Sequence, residues 1–179
     1  MDGTSNEGLH LYSYWRSSAA WRVRIGLALK GLACTIEPVH LLRDGGQQHA
    51  DAYAALNPQQ LVPLLLHGQR AVYQSLAILE YLEEAWPQAV PLLPATARER
   101  ARVRGLAQLV ACDIHPLNNL RVLQYLEREW DIPADGREAW ARHWMEQGLD
   151  AFEALVADNP ATGQFCHGDA PGLADCCLV

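Results

Sequence analysis

A cluster of prolines divides this chain, and the sequence changes character across it. Pro87, Pro91 and Pro94 fall within residues 87–96, a stretch with no helical period. Proline lacks an N–H and fixes φ, so such a stretch cannot continue a helix or the middle of a sheet. Before it, strand and helix patterns alternate. Beyond it, strand patterns disappear. The expected layout is a first domain over 9–87, a linker over 88–96 and an all-helical domain over 97–179.

The first part reads β-α-β-α-β-β-α. Residues 9–14 alternate as a strand and run into Trp15-Arg16-Ser17-Ser18, a turn into a helix over 19–30 that Gly31 stops. Residues 34–41 read as a second strand and 47–56 as a short helix. Leu61-Val62-Pro63-Leu64-Leu65-Leu66 reads as an extended entry into a buried strand. A turn at His67-Gly68-Gln69-Arg70 leads to a short strand, and Ser75 lies near the start of a helix carrying Leu76, Leu79, Leu82 and Trp86. A βαβ unit followed by a hairpin and a covering helix makes one α/β domain.

In the second part Val103, Leu106, Leu109 and Val110 follow helical spacing. Pro116 predicts a kink, after which Leu117, Leu120, Leu123 and Leu126 resume the pattern. Arg121, three residues after Asn118, then lies on a neighbouring helical ridge. Met145, Leu149, Phe152 and Val156 predict the core stripe of another helix, and 172–179 begins one more. Trp140 and Trp144, at i, i+4, read as packing. Arg98, Arg100, Arg102 and Arg104 read most simply as a solvated helix start.

Composition narrows the function. The chain has 179 residues, with 14 Lys+Arg against 21 Asp+Glu. This acidic balance argues against nucleic acid as a partner, because phosphate binding wants a basic face. Lys30 is the only lysine; the other basic residues are arginines, which grip carboxylates in bidentate fashion. The five cysteines include no C-x-x-C pair, which argues against a disulfide framework and a zinc site. The histidines have no ligand spacing, so no metal is expected. No apolar run spans a membrane, and the polar stretch 1–8 does not read as a signal peptide but as a leader, so a cytoplasmic protein is expected.

Three polar features could converge. Ser17 and Ser18 start one helix, and Gln74 and Ser75 start another. Val62-Pro63 lies at the mouth of a buried strand. Ligands of α/β domains collect at strand carboxyl ends and helix N-termini, where a carboxylate or a thiolate is favoured. If Val62-Pro63 is cis, Val62 offers its N–H and C=O to a ligand backbone. Each feature also has an ordinary structural explanation; only about 5–6% of X-Pro bonds are cis.

The motifs themselves carry a resemblance. Ser13-Tyr14-Trp15-Arg16-Ser17-Ser18-Ala19-Ala20-Trp21-Arg22-Val23-Arg24-Ile25 resembles the signature of zeta-class glutathione S-transferases, the maleylacetoacetate isomerase family. Asn57-Pro58-Gln59-Gln60-Leu61-Val62-Pro63 and Gln74-Ser75-Leu76-Ala77-Ile78-Leu79-Glu80 resemble its glutathione-site segments. Cys112-Asp113-Ile114-His115-Pro116-Leu117-Asn118-Asn119 resembles the bacterial branch that includes maleylpyruvate isomerase.

The resemblance implies a thioredoxin-like N-terminal domain, an all-α C-terminal domain, glutathione in the cleft between them and a homodimer. It implies that Ser17 supports the glutathione thiolate, helped by Ser18. Gln48, Val62, Gln74 and Ser75 would hold the glutathione peptide with Pro63 cis, and His115 and Asn119 would reach the same cleft. Arg16 and Arg121 would grip the carboxylates of an unsaturated diketo acid, maleylacetoacetate or maleylpyruvate, during cis–trans isomerisation. Both arginines would also take up charge developing on the substrate. The alternatives within the same fold are a transferase that conjugates or dehalogenates small acids, and a non-enzymatic binding module.

Three departures stand out. Ala19 replaces a cysteine common in the zeta class. Gly172 stands where the family's helix-capping motif has Ser or Thr. The family continues with further helices past the position of Val179, and in the maleylpyruvate branch with another substrate arginine, so the helical domain is expected to be incomplete.

Overall fold

The computed structural model describes residues 8–179. Apart from Gly8, the expected leader at 1–8 lies outside them. The chain forms two units, the first running to Leu93 and the second spanning Pro94–Leu178.

The first unit contains β1 (Leu9–Ser13), α1 (Ser18–Leu29), β2 (Cys34–Pro38), α2 (Asp51–Leu56), β3 (Leu64–His67), β4 (Arg70–Tyr73) and α3 (Ser75–Ala85). The sheet order is β2-β1-β3-β4, with β1 parallel to β2 and the other pairs antiparallel. This is the expected mixed α/β order. Leu11, Leu64 and Leu65 of the sheet, Val23 of α1, and Ile78, Leu79 and Leu82 of α3 have no solvent exposure. Each such side chain contributes about 1.5–3 kcal/mol on burial.

Local chemistry fixes the element ends. Ser17 caps α1, and Gly31 closes it with φ 65° while Leu32 N–H reaches back to Leu27 C=O at 2.9 Å. Gly26 lets α1 approach α3, because a Cβ there would collide with Leu79 Cδ2. β2 ends at Pro38 and not at residue 41. Beyond it the N–H groups of Leu42 and Arg43 donate to His40 Nδ1 at 3.2 and 2.9 Å, so these donors serve a turn. The helix expected at 47–56 divides at Ala50, whose ψ of 140° separates the 3₁₀ turn Gln47–His49 from α2.

The stretch after Pro87 is not loose. Leu92 and Leu93 are buried, and Glu83 binds both of their N–H groups, at 3.0 and 3.3 Å. Glu83 also accepts from Lys30 Nζ at 2.9 Å, and Lys30 donates to Val90 C=O at 3.1 Å. Burial alone raises the Glu83 pKa, but these donors outweigh it and hold the carboxylate below its ordinary range.

The second unit contains α4 (Ala97–Gln108), α5 (Leu120–Trp130), α6 (Ala134–Val156) and α7 (Leu173–Leu178). Between α4 and α5 the chain does not kink but breaks. A π-helical turn, Leu109–Ile114, passes into a 3₁₀ turn, His115–Asn118, and Asn119 is extended. Pro116 enforces the break by lacking an N–H.

The predicted stripe on α6 is rotated. Phe152 is buried and Val156 half-buried, but Met145 and Leu149 are 41% and 45% exposed. The packed face runs through Trp140, Trp144, Gly148 and Phe152. Trp140 Nε1 donates to Leu117 C=O at 2.8 Å, and a Cβ at Gly148 would collide with Ile114. A glycine contact does not read as a core position, which is why the sequence pattern misplaces the face. Trp140 and Trp144 do pack, with centroids 5.7 Å apart.

Arg102 is likewise not a solvated arginine. It donates to Cys166 C=O at 2.7 Å and Thr162 Oγ1 at 2.8 Å, pinning the loop before α7.

Candidate active site

Strand register brings the polar features of the first unit to one edge of the sheet. Tyr12 of β1 pairs with Leu64 of β3, which pairs with Tyr73 of β4, and Ser13 pairs with Pro38 of β2. The end of β1, the end of β2, the start of β3 and the end of β4 therefore coincide. The turns leaving that edge carry Ser17, Gln48, Val62-Pro63 and Gln74-Ser75.

The first turn presents an oxygen and a helix start. Ser17 is extended (φ −80°, ψ 112°), and its Oγ accepts from Ala20 N–H at 3.2 Å. With that lone pair engaged, the hydroxyl proton is available to a ligand. The first turn of α1 holds no acid, so the positive end of the helix is not neutralised there. Arg24 braces the turn by donating to Trp15 C=O at 3.3 Å and lying over the Trp21 ring. Arg16 and Ser18 are exposed, and the Arg16 guanidinium lies 5.6 Å from the Trp15 ring centroid.

The second turn is held from inside. The Val62-Pro63 bond is cis. Leu61 C=O accepts from Tyr53 Oη at 2.6 Å and Asn57 Nδ2 at 2.8 Å, and Asn57 is 2% exposed. Val62 itself is buried. Gln48 is also buried, and its Oε1 has no partner among the described residues, while its amide nitrogen donates to Leu41 C=O at 3.4 Å. A buried polar atom of this kind suits a ligand that supplies a donor.

The third turn combines strain and charge. Gln74 has φ 67° and ψ 124°, a conformation non-glycine residues rarely adopt, and its amide donates to Gln59 Oε1 at 2.8 Å. Ser75 begins α3, is buried, and its Oγ accepts from Arg22 Nη1 at 3.2 Å. The first turn of α3 also lacks an acid. Together these turns can take an extended peptide bearing a carboxylate at one end and a thiol near the Ser17 helix start.

In the second unit His115, Asn119 and Arg121 share the break before α5. Asn119 Nδ2 lies 3.4 Å from His115 Nε2. Asn119 Oδ1 caps α5 by accepting from Arg121 N–H at 3.1 Å. Arg121 is exposed at the start of a new helix, and extended Asn119 separates it from Asn118, so the expectation that the two lie on neighbouring ridges of one helix does not hold.

Three thiols, Cys34, Cys166 and Cys176, are held in the protonated form at neutral pH. Burial pushes Cys34 up to about 11, and Cys166 and Cys176 up to about 12. The sequence reading missed Tyr53, Asn57 and Arg22, which act on the site from behind. A usable signal existed for Arg22, which lies four residues before Gly26 on the buried face of α1.

Residues 11–89 match the family model for the N-terminal domain of glutathione S-transferases. A maleylpyruvate isomerase from Ralstonia sp is 48% identical over 96% of this chain and 79% of its own length. The holo structure of a maleylpyruvate isomerase, a bacterial zeta-class glutathione S-transferase, superposes with a TM-score of 0.90 at 47% identity, covering 94% of this chain and 78% of the other. A maleylacetoacetate isomerase from Methylobacterium extorquens AM1, with malonate and glutathione bound, gives a TM-score of 0.90 at 45% identity over 94% and 78%.

Proposed function

The chain belongs to the zeta-class glutathione S-transferase family of maleylacetoacetate and maleylpyruvate isomerases, and from that premise we propose that it isomerises the cis double bond of maleylacetoacetate or maleylpyruvate with glutathione as cofactor. The observation that carries the proposal is the convergence, at one sheet edge, of an uncompensated helix start at Ser17, the cis Val62-Pro63 turn and buried Ser75.

Glutathione fits this donor set. Its γ-glutamyl carboxylate suits Ser75 and the start of α3. Its peptide backbone suits the N–H and C=O of Val62, with the amide side chains of Gln48 and Gln74 as further partners. Bound there, glutathione supplies a sulfur nucleophile for reversible addition to the cis double bond, allowing rotation about that bond. Ser17 donates its hydroxyl proton to the sulfur, and the start of α1, including Ser18, adds positive potential. Both lower the thiol pKa from about 8.5 toward neutrality. Arg16 and Arg121 bind substrate carboxylates, and Arg16 stabilises negative charge as it develops on the carbonyl oxygen. His115 and Asn119 are further candidate glutathione ligands by the family relationship.

The same reading has the enzyme acting as a cytoplasmic homodimer, supported by the family relationship. No helix among the described residues is long and apolar enough to cross a membrane.

The test is an absorbance assay of both keto acids with and without glutathione. Turnover that requires glutathione is expected. Turnover independent of glutathione, or none, overturns the reading. Activity confined to halogenated acids would make the chain a general transferase instead.

A further inference from the structure

We propose that Arg22 is a positioning residue that aims the Ser75 hydroxyl at the γ-glutamyl carboxylate of glutathione; the inference rests on the glutathione reading above. Arg22 lies on α1 and is 2% exposed. Its Nη1 lies 3.2 Å from Ser75 Oγ, a contact made inside the protein. A guanidinium has five donors and no acceptor, so Ser75 Oγ must accept in this pair. The serine proton is then left to donate outward, which is the role a carboxylate ligand requires. Without that contact the hydroxyl could rotate, and its oxygen could meet the carboxylate lone-pair first.

The charge points the same way. A cation placed at a helix N-terminus opposes the macrodipole of α3. The placement is unfavourable for the helix alone and favourable for an arriving anion. It depends on the close approach of α1 and α3 at Gly26 and Leu79, which brings the residue four positions earlier within reach of Ser75. Lysine offers no substitute, since its point charge lacks the planar fork that holds one direction. The neighbouring arginines differ in kind, because Arg16 is exposed and Arg24 donates to Trp15 C=O.

The test is a double-mutant cycle on the full chain, with glutathione affinity read by calorimetry. Ser75→Ala and Arg22→Gln should each weaken binding about tenfold, consistent with loss of a charge-assisted hydrogen bond. The double variant should bind little worse than either single one, because both break the same contact. The loss should appear in KM for glutathione more than in kcat. It should also shrink for a glutathione analogue whose γ-glutamyl carboxylate is amidated. If the two single losses multiply, or if the amidated analogue suffers equally, Arg22 merely supports the core and the proposal is overturned. Should Arg22→Gln fail to fold, Arg22→Lys enters the same cycle, and equal losses with and without Ser75 overturn it. An unsubstituted chain that binds no glutathione overturns the glutathione reading itself, an outcome recognised before any variant is made.

Discussion

The helix starts of the two units are built differently. In the second unit α4, α6 and α7 each carry an acid in the first turn: Glu99, Asp135 and Asp175. Thr96 and Glu99 form a reciprocal capping box, which holds the Glu99 carboxyl below its ordinary pKa. Asp175 accepts from Gly172 N–H at 2.8 Å and Cys166 N–H at 2.9 Å. In the first unit α1 and α3 carry no acid there, and α3 has no side-chain cap. The sole acid-free start in the second unit is α5, capped by Asn119, itself a candidate ligand residue. α2, which carries no candidate residue, begins with Asp51. Helix ends closed by the chain's own carboxylates support structure. Ends left electropositive are those the proposed ligand would use.

Substitutions at the caps can break or sharpen that contrast. Ser17→Ala should lower isomerase turnover about 10²–10³-fold, the range for loss of one donor to developing charge. Its effect on stability should be only about 1 kcal/mol. Unchanged turnover in a steady-state assay would place Ser17 with the structural caps. Asp175→Ala should do the reverse, costing about 2–4 kcal/mol in denaturant unfolding because two N–H groups lose their acceptor. Thr96→Ala should cost about 1 kcal/mol and leave turnover unchanged. A drop in its turnover would remove the distinction between the two kinds of helix start.

Stability should also depend on pH. Cys34, Cys166 and Cys176 are protonated in the folded chain up to about 11, 12 and 12. In the unfolded chain they ionise at about 8.5. Their stabilising contribution is complete below that value and falls as pH rises toward the folded pKa. Melting temperatures between pH 8 and 10 should therefore decline, and Cys176→Ala should flatten the decline. An unchanged slope in that variant would show that Cys176 is not responsible.

Much of this was legible in the chain. Three prolines within residues 87–96 marked where the strand patterns end, since a proline has no N–H to give to a helix or a sheet ladder. Ser17, Gly31 and Ser75 were legible because caps and stops act within a few residues. The face of α6 was not, because Gly148 packs by lacking a side chain, and hydrophobic spacing records only side chains that are present.

The sequence by itself determined the order of strands and helices in the first unit and the residue types available to a glutathione site. Tertiary structure decided how distant residues are used. Lys30, the only lysine, became a buried clamp on Glu83. Arg102 became a loop anchor, and Arg22 came to rest against Ser75, 53 residues away. An arginine's identity sets its charge and its donors; its partner depends on which elements pack together, and local sequence does not encode that.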